Sequence, residues 1–460
     1  MRDEIKALQE ERNQIFEDHY GNKIPKRVPM RLSVPDRVIA ERLGLSSIDF
    51  NYDPSVLADA KFEIAQQIFT DTYPFTVAGS IVGRSPGFFQ LLRSQSFVMS
   101  NTGYTQHPEV IGMDASQYPK LIADPVGFLF EDVIPRHFES FGLAPVGAVN
   151  YFMMGLSLLK GFADKGAPVV AQLYDEHGYW PGAPRGSSTS GTSPYDFIAD
   201  QLRSFSEISK DIRRRRTELK EACDAVTPLM FVWGNPGKPH PLGCVRSPLH
   251  MPTYMREKDF IEIWMPSWQR CMEQWAARGA RTRLFCEHDW TRLLDVIQDM
   301  PHGVEIQFEY GDPRVFKEKV GKKFLLTGMY PLSTVAHGSK QDVIDKAKEM
   351  LDVLMPGGGY SFDFDKGPLY LGDINFENLI ALGETFRDYG VYSNPGGEFG
   401  KPINFEGFTI DPSIDVLPKS PYLHDWDSFK SEYPLAPGFA QGQLKQLQKD
   451  TFSTIMQLLR

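Results

Sequence analysis

Two short runs bring acids, bases and aromatic rings within a few residues of one another. The first is Tyr174-Asp175-Glu176-His177-Gly178-Tyr179-Trp180. Carboxylates and an imidazole beside aromatic rings offer proton transfer next to a stacking surface. The run follows Ala167–Tyr174 (APVVAQLY), which reads as a strand. Glu176 and His177 are therefore expected as acid–base groups, with Tyr174, Tyr179 and Trp180 as substrate contacts. The second run, Cys286-Glu287-His288-Asp289, closes the strand-like Arg281–Cys286 (RTRLFC). Both runs hold Glu-His in a strand-end loop, so Glu287 and His288 are expected to share one pocket with the first pair. Trp233 and Asn235 end the run Pro228–Trp233, and Glu309 and Tyr310 end Val304–Phe308. Ends of parallel strands gather on one face, which adds these four to the expected substrate contacts.

Three further runs carry less chemistry. His240, Cys244 and His250 have a spacing that a metal would accept, but Pro241, Pro248 and Pro252 make the segment read as a surface loop. Gly357-Gly358-Gly359 reads as a tight turn from helix to strand rather than an anion cradle. The small polar residues 187–192 form a flexible loop, either a lid over the pocket or a linker.

The elements that must hold these residues alternate along the chain. Strand-like runs at 167–174, 228–233, 281–286, 304–308, 324–327 and 360–364 are separated by helical patterns at 195–223, 259–278, 290–299, 312–320 and 340–354. Such alternation implies parallel strands, because each parallel pair needs a long crossover. No GxGxxG follows a first strand, which counts against an open dinucleotide-binding sheet. The expected fold is α/β, a (β/α)8 TIM barrel over 27–395, with an N-terminal helical extension over 1–26 and a C-terminal extension over 396–460. That tail ends in an amphipathic helix whose Leu444, Leu447, Phe452, Ile455, Met456 and Leu459 need burial, on the barrel or on a second subunit.

Composition sets outer limits. In 460 residues, 42% are hydrophobic and 23% charged, the balance of a folded chain. A net charge of -10 disfavours nucleic acid and anionic lipid as partners. No apolar run reaches the roughly 18 residues of a membrane helix, and the charged N-terminus lacks a signal-peptide core. A cytoplasmic protein with four reduced cysteines is expected.

Five segments carry a family resemblance: Tyr195–Arg216 (YDFIADQLRSFSEISKDIRRRR), Lys258–Trp290, Gly321–Leu332 with Gly338-Ser339, Pro356–Phe362 (PGGGYSF) and Asn375–Gly390. In this order, over roughly 110–395, the chain resembles the uroporphyrinogen decarboxylase superfamily. The resemblance implies one barrel domain, often dimeric, with a deep pocket at the carboxyl end of its strands. Decarboxylases of the family hold porphyrinogen carboxylates with an R-Q-A-G-R string; Arg27, Arg31 and Arg37 occur here, but the string does not. The chain is therefore more similar to the corrinoid-linked methyltransferases. What that branch implies is O- or N-demethylation of a small methoxylated or N-methylated donor, with the methyl group passing to a corrinoid (cobalamin) carried by a partner protein. Several members of the branch hold zinc through His-x-Cys and a later Cys. Here Cys286-Glu287-His288 stands at the first position and Asp363 at the second, so the resemblance offers Cys286, His288 and Asp363 as zinc ligands. Two alternatives stay open. One is a decarboxylase or lyase for a small carboxylated substrate, which needs arginines such as Arg203, Arg246 or Arg283 in the pocket. The other is a non-catalytic barrel that binds a tetrapyrrole or a partner.

Overall fold

Six strands pair side by side, all parallel and in chain order: β1 (Thr189–Ser190), β2 (Cys244–Leu249), β3 (Arg281–Asp289), β4 (Glu305–Tyr310), β5 (Leu325–Gly328) and β6 (Tyr360–Ser361). They belong to a computed structural model that describes residues 2–75, 86–99, 105–400 and 407–459. Helices Phe205–Arg214 and Arg216–Gly234 cross between β1 and β2, Met265–Ala277 between β2 and β3, Pro313–Lys319 between β4 and β5, and Lys340–Leu354 between β5 and β6. Within each strand the faces alternate. Leu284, Cys286, Ile306 and Phe308 are fully buried on one side, where the helices pack. Arg283, Phe285 and Gln307 look to the other side, where a cavity lies.

Two further extended segments continue this sheet beyond β6. Met30 forms a parallel bridge with Phe362. Asp71 N–H donates to the Met30 carbonyl at 3.0 Å, and Trp180 N–H donates to the Asp71 carbonyl at 2.7 Å. Thr72 and Trp180 form another parallel bridge, only a few residues before β1. The N-terminal helix Asp3–Tyr20 covers the amino ends of the strands: Arg281, the first residue of β3, donates to the Tyr20 carbonyl at 2.9 Å.

Most expected elements from 257 onward form where the periodicity put them, and earlier ones differ. Ala167–Tyr174 is no strand but the last part of a helix, Pro145–His177, that runs through Gly166 and Pro168 and stops at Gly178 with φ 57°. Its β-branched Val169 and Val170 mimic a strand, but the chain around them is already helical. Pro228–Trp233 is likewise the end of the helix Arg216–Gly234. Every residue from Leu229 to Trp233 is buried there, so no polar face marks a helical period. Conversely, 244–249 is strand β2 rather than a surface loop. Proline is tolerated at 248 because β1 pairs only as far as Arg246, so no β1 partner stands opposite it. Trp290–Asp299 forms two short 3-10 turns instead of a helix.

The helix Pro145–His177 also corrects the expectation that no segment suits a membrane. By length and composition it is able to cross one, with mean hydropathy 1.2 over its most apolar window, of which only 6% is buried. Asn150 and Ser157 interrupt its apolar letters, so no unbroken apolar run marks this helix in the sequence. The C-terminal helix Ala440–Met456 docks on its own chain: Phe452, Met456, Leu458 and Leu459 are buried, whereas Leu447 stays 60% exposed. Residues 401–406 of the expected C-terminal extension lie outside the described residues.

Candidate active site

The cavity has a volume of about 560 Å³ and opens past the carboxyl ends of β2 and β3. Ligand pockets commonly measure roughly 300–1,000 Å³. The corner that gathers its titratable groups is built by three elements. His250 follows directly on β2, Glu287 lies near the end of β3, and Asp200 sits in a π-turn, Ile198–Arg203. Ser193 caps the preceding helical turn, accepting from Asp196 N–H at 2.9 Å. The π-turn then inserts an extra residue per turn and ends at Ser204 with φ 72°. Insertions of this kind re-aim side chains and recur at functional positions.

His250 Nδ1–H donates to Glu287 Oε2 at 2.7 Å, and its Nε2 stands 3.9 Å from Asp200 Oδ2. The second gap is too wide for a direct hydrogen bond and leaves room for a substrate atom. Beneath them the buried Asp196 accepts from Met251 N–H at 2.9 Å and from Trp264 Nε1–H at 2.8 Å. Burial alone would depress the His250 pKa, but the Glu287 hydrogen bond and the charges of Asp200 and Glu287 outweigh it and lift it to about 9. Burial, with the charges of Asp196 and Glu287, pushes Asp200 up to about 7 against the pull of His250. About a third of each side chain still meets solvent inside the cavity, so both can exchange protons. At neutral pH the corner holds an imidazolium poised to donate a proton beside a carboxyl group that titrates near neutrality.

Below this corner the floor is a closed ionic network. Arg31 reaches Glu305 at 2.8 Å, and Arg283 reaches Glu305 at 3.5 Å and Asp363 at 2.7 Å. Burial favours a neutral Glu305, yet the two guanidiniums hold its carboxyl well below the usual carboxylate range. His19, also fully buried against Glu305, is pushed down to about 3, chiefly by burial.

The structure brings only some of the expected site residues together. Glu287 and Trp233 are at the cavity, one through His250 and the other as part of its wall. His288 turns away in a left-handed conformation, φ 61°, and its Nε2 meets the exposed Tyr254 hydroxyl at 2.6 Å. Glu309 accepts from His288 N–H at 2.9 Å, and the exposed Tyr310 hydroxyl accepts from Lys366 Nζ at 3.3 Å. Asn235, just past its helix, is half-buried and does not line the cavity. The group around 176 sits at the opposite end of the sheet, because the helix that carries it ends against the N-terminal helix. Arg12 donates to the His177 carbonyl at 2.5 Å, and Trp180 stacks on Phe16 at 3.9 Å. Tyr174 stacks on Tyr73 at 5.6 Å, Tyr179 is buried beside His177, and Glu176 accepts from its neighbour Gln172 at 2.7 Å. The two Glu-His pairs therefore do not share a pocket.

The three expected zinc ligands do not converge either. Cys286 is buried on the helix side of β3, where burial pushes its thiol well up; Asp363 is held by Arg283, and His288 by Tyr254. Among the described residues no group of three or more His, Cys, Asp and Glu is placed to hold a metal ion. This ligand set does not fit zinc.

Sequence reasoning missed Asp200, and it weighed His250 only as a metal ligand in a surface loop, not as the partner of Glu287. Arg246, Pro248 and His250 recur with a period of two, the signal of one strand face, but the prolines hid it. Compared with protein-family models and with curated proteins, the chain matches none.

Proposed function

We propose that the cavity is an active site in which His250 gives a proton to the leaving atom of a small substrate, and that the sheet closes into a (β/α)8 barrel around it. The bridges from β6 through Met30, Asp71 and Trp180 to the neighbourhood of β1 support closure. The observation that carries the chemistry is the imidazole of His250 between Glu287 and Asp200 at the cavity.

The reaction that this arrangement serves best is demethylation of a small methoxylated or N-methylated donor, as the family resemblance implies. A corrinoid protein is the partner in this reading, and its cobalt(I) supplies the nucleophile that accepts the methyl group. When the methyl–oxygen bond breaks, its electron pair stays on oxygen. His250 Nε2–H protonates that oxygen, so an alcohol leaves rather than an alkoxide. Glu287 keeps the ring oriented and cationic, and Asp200 returns the proton from solvent. A cytoplasmic setting, where the four free cysteines stay thiols, and a homodimer belong to the same reading.

One observation favours a second reading. Arg246 and Arg283 both line the cavity, as decarboxylation of a small carboxylated substrate would require. A panel of methoxylated and N-methylated donors, incubated with the chain and free cob(I)alamin and followed by cobalamin absorbance, separates the two. Turnover that falls about 10²–10⁴-fold in His250→Gln supports demethylation. Carbon dioxide release without any corrinoid, and no methyl transfer from any donor, overturns it in favour of the second reading.

A further inference from the structure

The exposed side of the helix Pro145–His177 changes character partway along. From Leu143 to Ser157 (LAPVGAVNYFMMGLS) no residue is charged. Val146 is 84% exposed, Val149 61% and Met153 55%, and Leu143 and Met154 are open to solvent beside them. Beyond Ser157 come Lys160, paired with Asp164, and Lys165, paired with Asp53. Val146, Asn150, Met153 and Ser157 recur at alternating steps of four and three, with Leu143 three residues before them, so they form one stripe. Along the stripe runs a groove of about 420 Å³, where Tyr52 of the helix Ser47–Tyr52 joins Met153, Met154 and Leu158 in the wall.

We infer that two copies of the chain join on this stripe, antiparallel, about a two-fold axis that passes at Asn150. The inference gives a face to the homodimer included in the reading above, and it rests on that part of the reading alone, not on the chemistry of the cavity.

Area sets the class of occupant. The exposed apolar side chains of the stripe, with Ile48 and Tyr52 beside it, present on the order of 700 Å². That exceeds the few hundred Å² that a monomer usually leaves uncovered and comes near the roughly 800 Å² per partner of a standard interface. The lysines at its charged end are already answered by Asp164 and Asp53, which leaves them little pull on anionic lipid headgroups.

Shape and polarity then favour a second copy. A two-fold axis brings the same patch of both copies together, so the surface must fit itself. Antiparallel pairing about Asn150 sets positions equally far before and after it opposite one another. Val146 then meets Met154 of the second copy at the groove, Leu143 lies against its Ser157, and Gly147 leaves room for its Met153. Large side chains face small ones, or apolar faces apolar. The room at Gly147 is open within the chain: among the described residues a Cβ added there meets only Leu143, at an ordinary 3.5 Å. Asn150 carries the one side-chain amide between Leu143 and Ser157. Within its own chain that amide donates to the Met154 sulfur at 3.4 Å, a weak acceptor. At the axis it meets its own copy, and each amide both donates and accepts. A single polar residue in an apolar seam fixes register in this way.

Sedimentation of the full-length chain tests this. A particle of twice 52.1 kDa is expected. Asn150→Asp and Asn150→Lys each set like charges face to face at the axis, and each should raise the dimer dissociation constant by about 100-fold or more. Mixed in equal amounts, the two variants should form a heterodimer, because opposite charges then meet; that recovery also shows that neither substitution unfolds the chain. Gly147→Phe should shift the chain toward monomer by filling the room that Met153 of the second copy needs. A dimer that ignores the Asn150 and Gly147 variants overturns this face and leaves the homodimer standing, whereas an unaltered chain that stays monomeric overturns both. A monomer that floats with phosphatidylcholine vesicles, and is released by Val146→Glu, overturns the inference in favour of a lipid surface. None of these results bears on turnover at His250, so this inference and the proposed reaction fail separately.

Discussion

The two ends of the sheet use the same residue types in opposite ways. At the amino ends of β3 and β4, one carboxylate, Glu305, is fully buried between Arg31 and Arg283, with His19 and Tyr20 against it. Cations outnumber the central anion there, and Glu305 itself is fully buried. Glu305 is held far below neutrality, His19 is pushed down to about 3, and Tyr20 is pushed up by burial, so nothing in that network changes charge near neutral pH. At the carboxyl ends one cation, His250, faces two carboxylates, and the cavity keeps part of each side chain wet. The excess of negative charge brings Asp200 to about 7 and His250 to about 9, where both can move protons under ordinary conditions. Access to solvent and the ratio of charges, rather than residue identity, separate a structural network from a chemical one.

The contrast can be broken most sharply by exchanging one residue at each end. His250→Gln should lower turnover about 10²–10⁴-fold, read as kcat on the best donor, while the denaturation midpoint hardly moves. Glu305→Gln should instead destabilise the chain by about 3–5 kcal/mol in urea unfolding, because two buried guanidiniums lose their counter-charge. If the first unfolds the chain, or the second leaves stability untouched, the division between the two ends is wrong.

Subtler changes sharpen it. Asp200→Asn removes one of the charges that raise His250, so the alkaline limb of the rate profile should move down from about 9 toward the ordinary histidine range. For His19 the folded pKa, about 3, lies below the unfolded value of about 6.5. The unfolded chain therefore takes up the proton first as pH falls. Stability should decline between about pH 6.5 and 3 by at most about 1.4 kcal/mol per unit from this group, and His19→Asn should flatten that slope in acid unfolding curves. The smallest effect is expected at the displaced pair: Glu176→Gln and His177→Ala should leave kcat unchanged, since both lie across the sheet from the cavity.

Strands β3 to β6 were legible in the sequence because each is a short apolar run set between clear helical periods. The reading failed where burial on all sides erased the period, as in Leu229–Trp233, and where β-branched residues sat inside a long helix, as at Val169 and Val170. Placing 167–174 as a strand carried Glu176 and His177 to the wrong end of the sheet. The half of the site formed by Glu287 was found from its strand-end position. The other half was not, because Asp200 depends on a π-turn and His250 on a proline-bearing strand. The π-turn leaves no local pattern, the prolines mask the period of two in β2, and the meeting of the two residues is a property of the tertiary fold.

The central claim is that His250 is a cation at neutral pH because two carboxylates hold it so. Titration of its ring nitrogens by NMR in histidine-labelled protein, assigned with the His250→Gln variant, measures this directly. The account expects a doubly protonated ring at pH 7.5 that loses its proton near 9. A ring that titrates at or below the ordinary value of about 6.5 would contradict it.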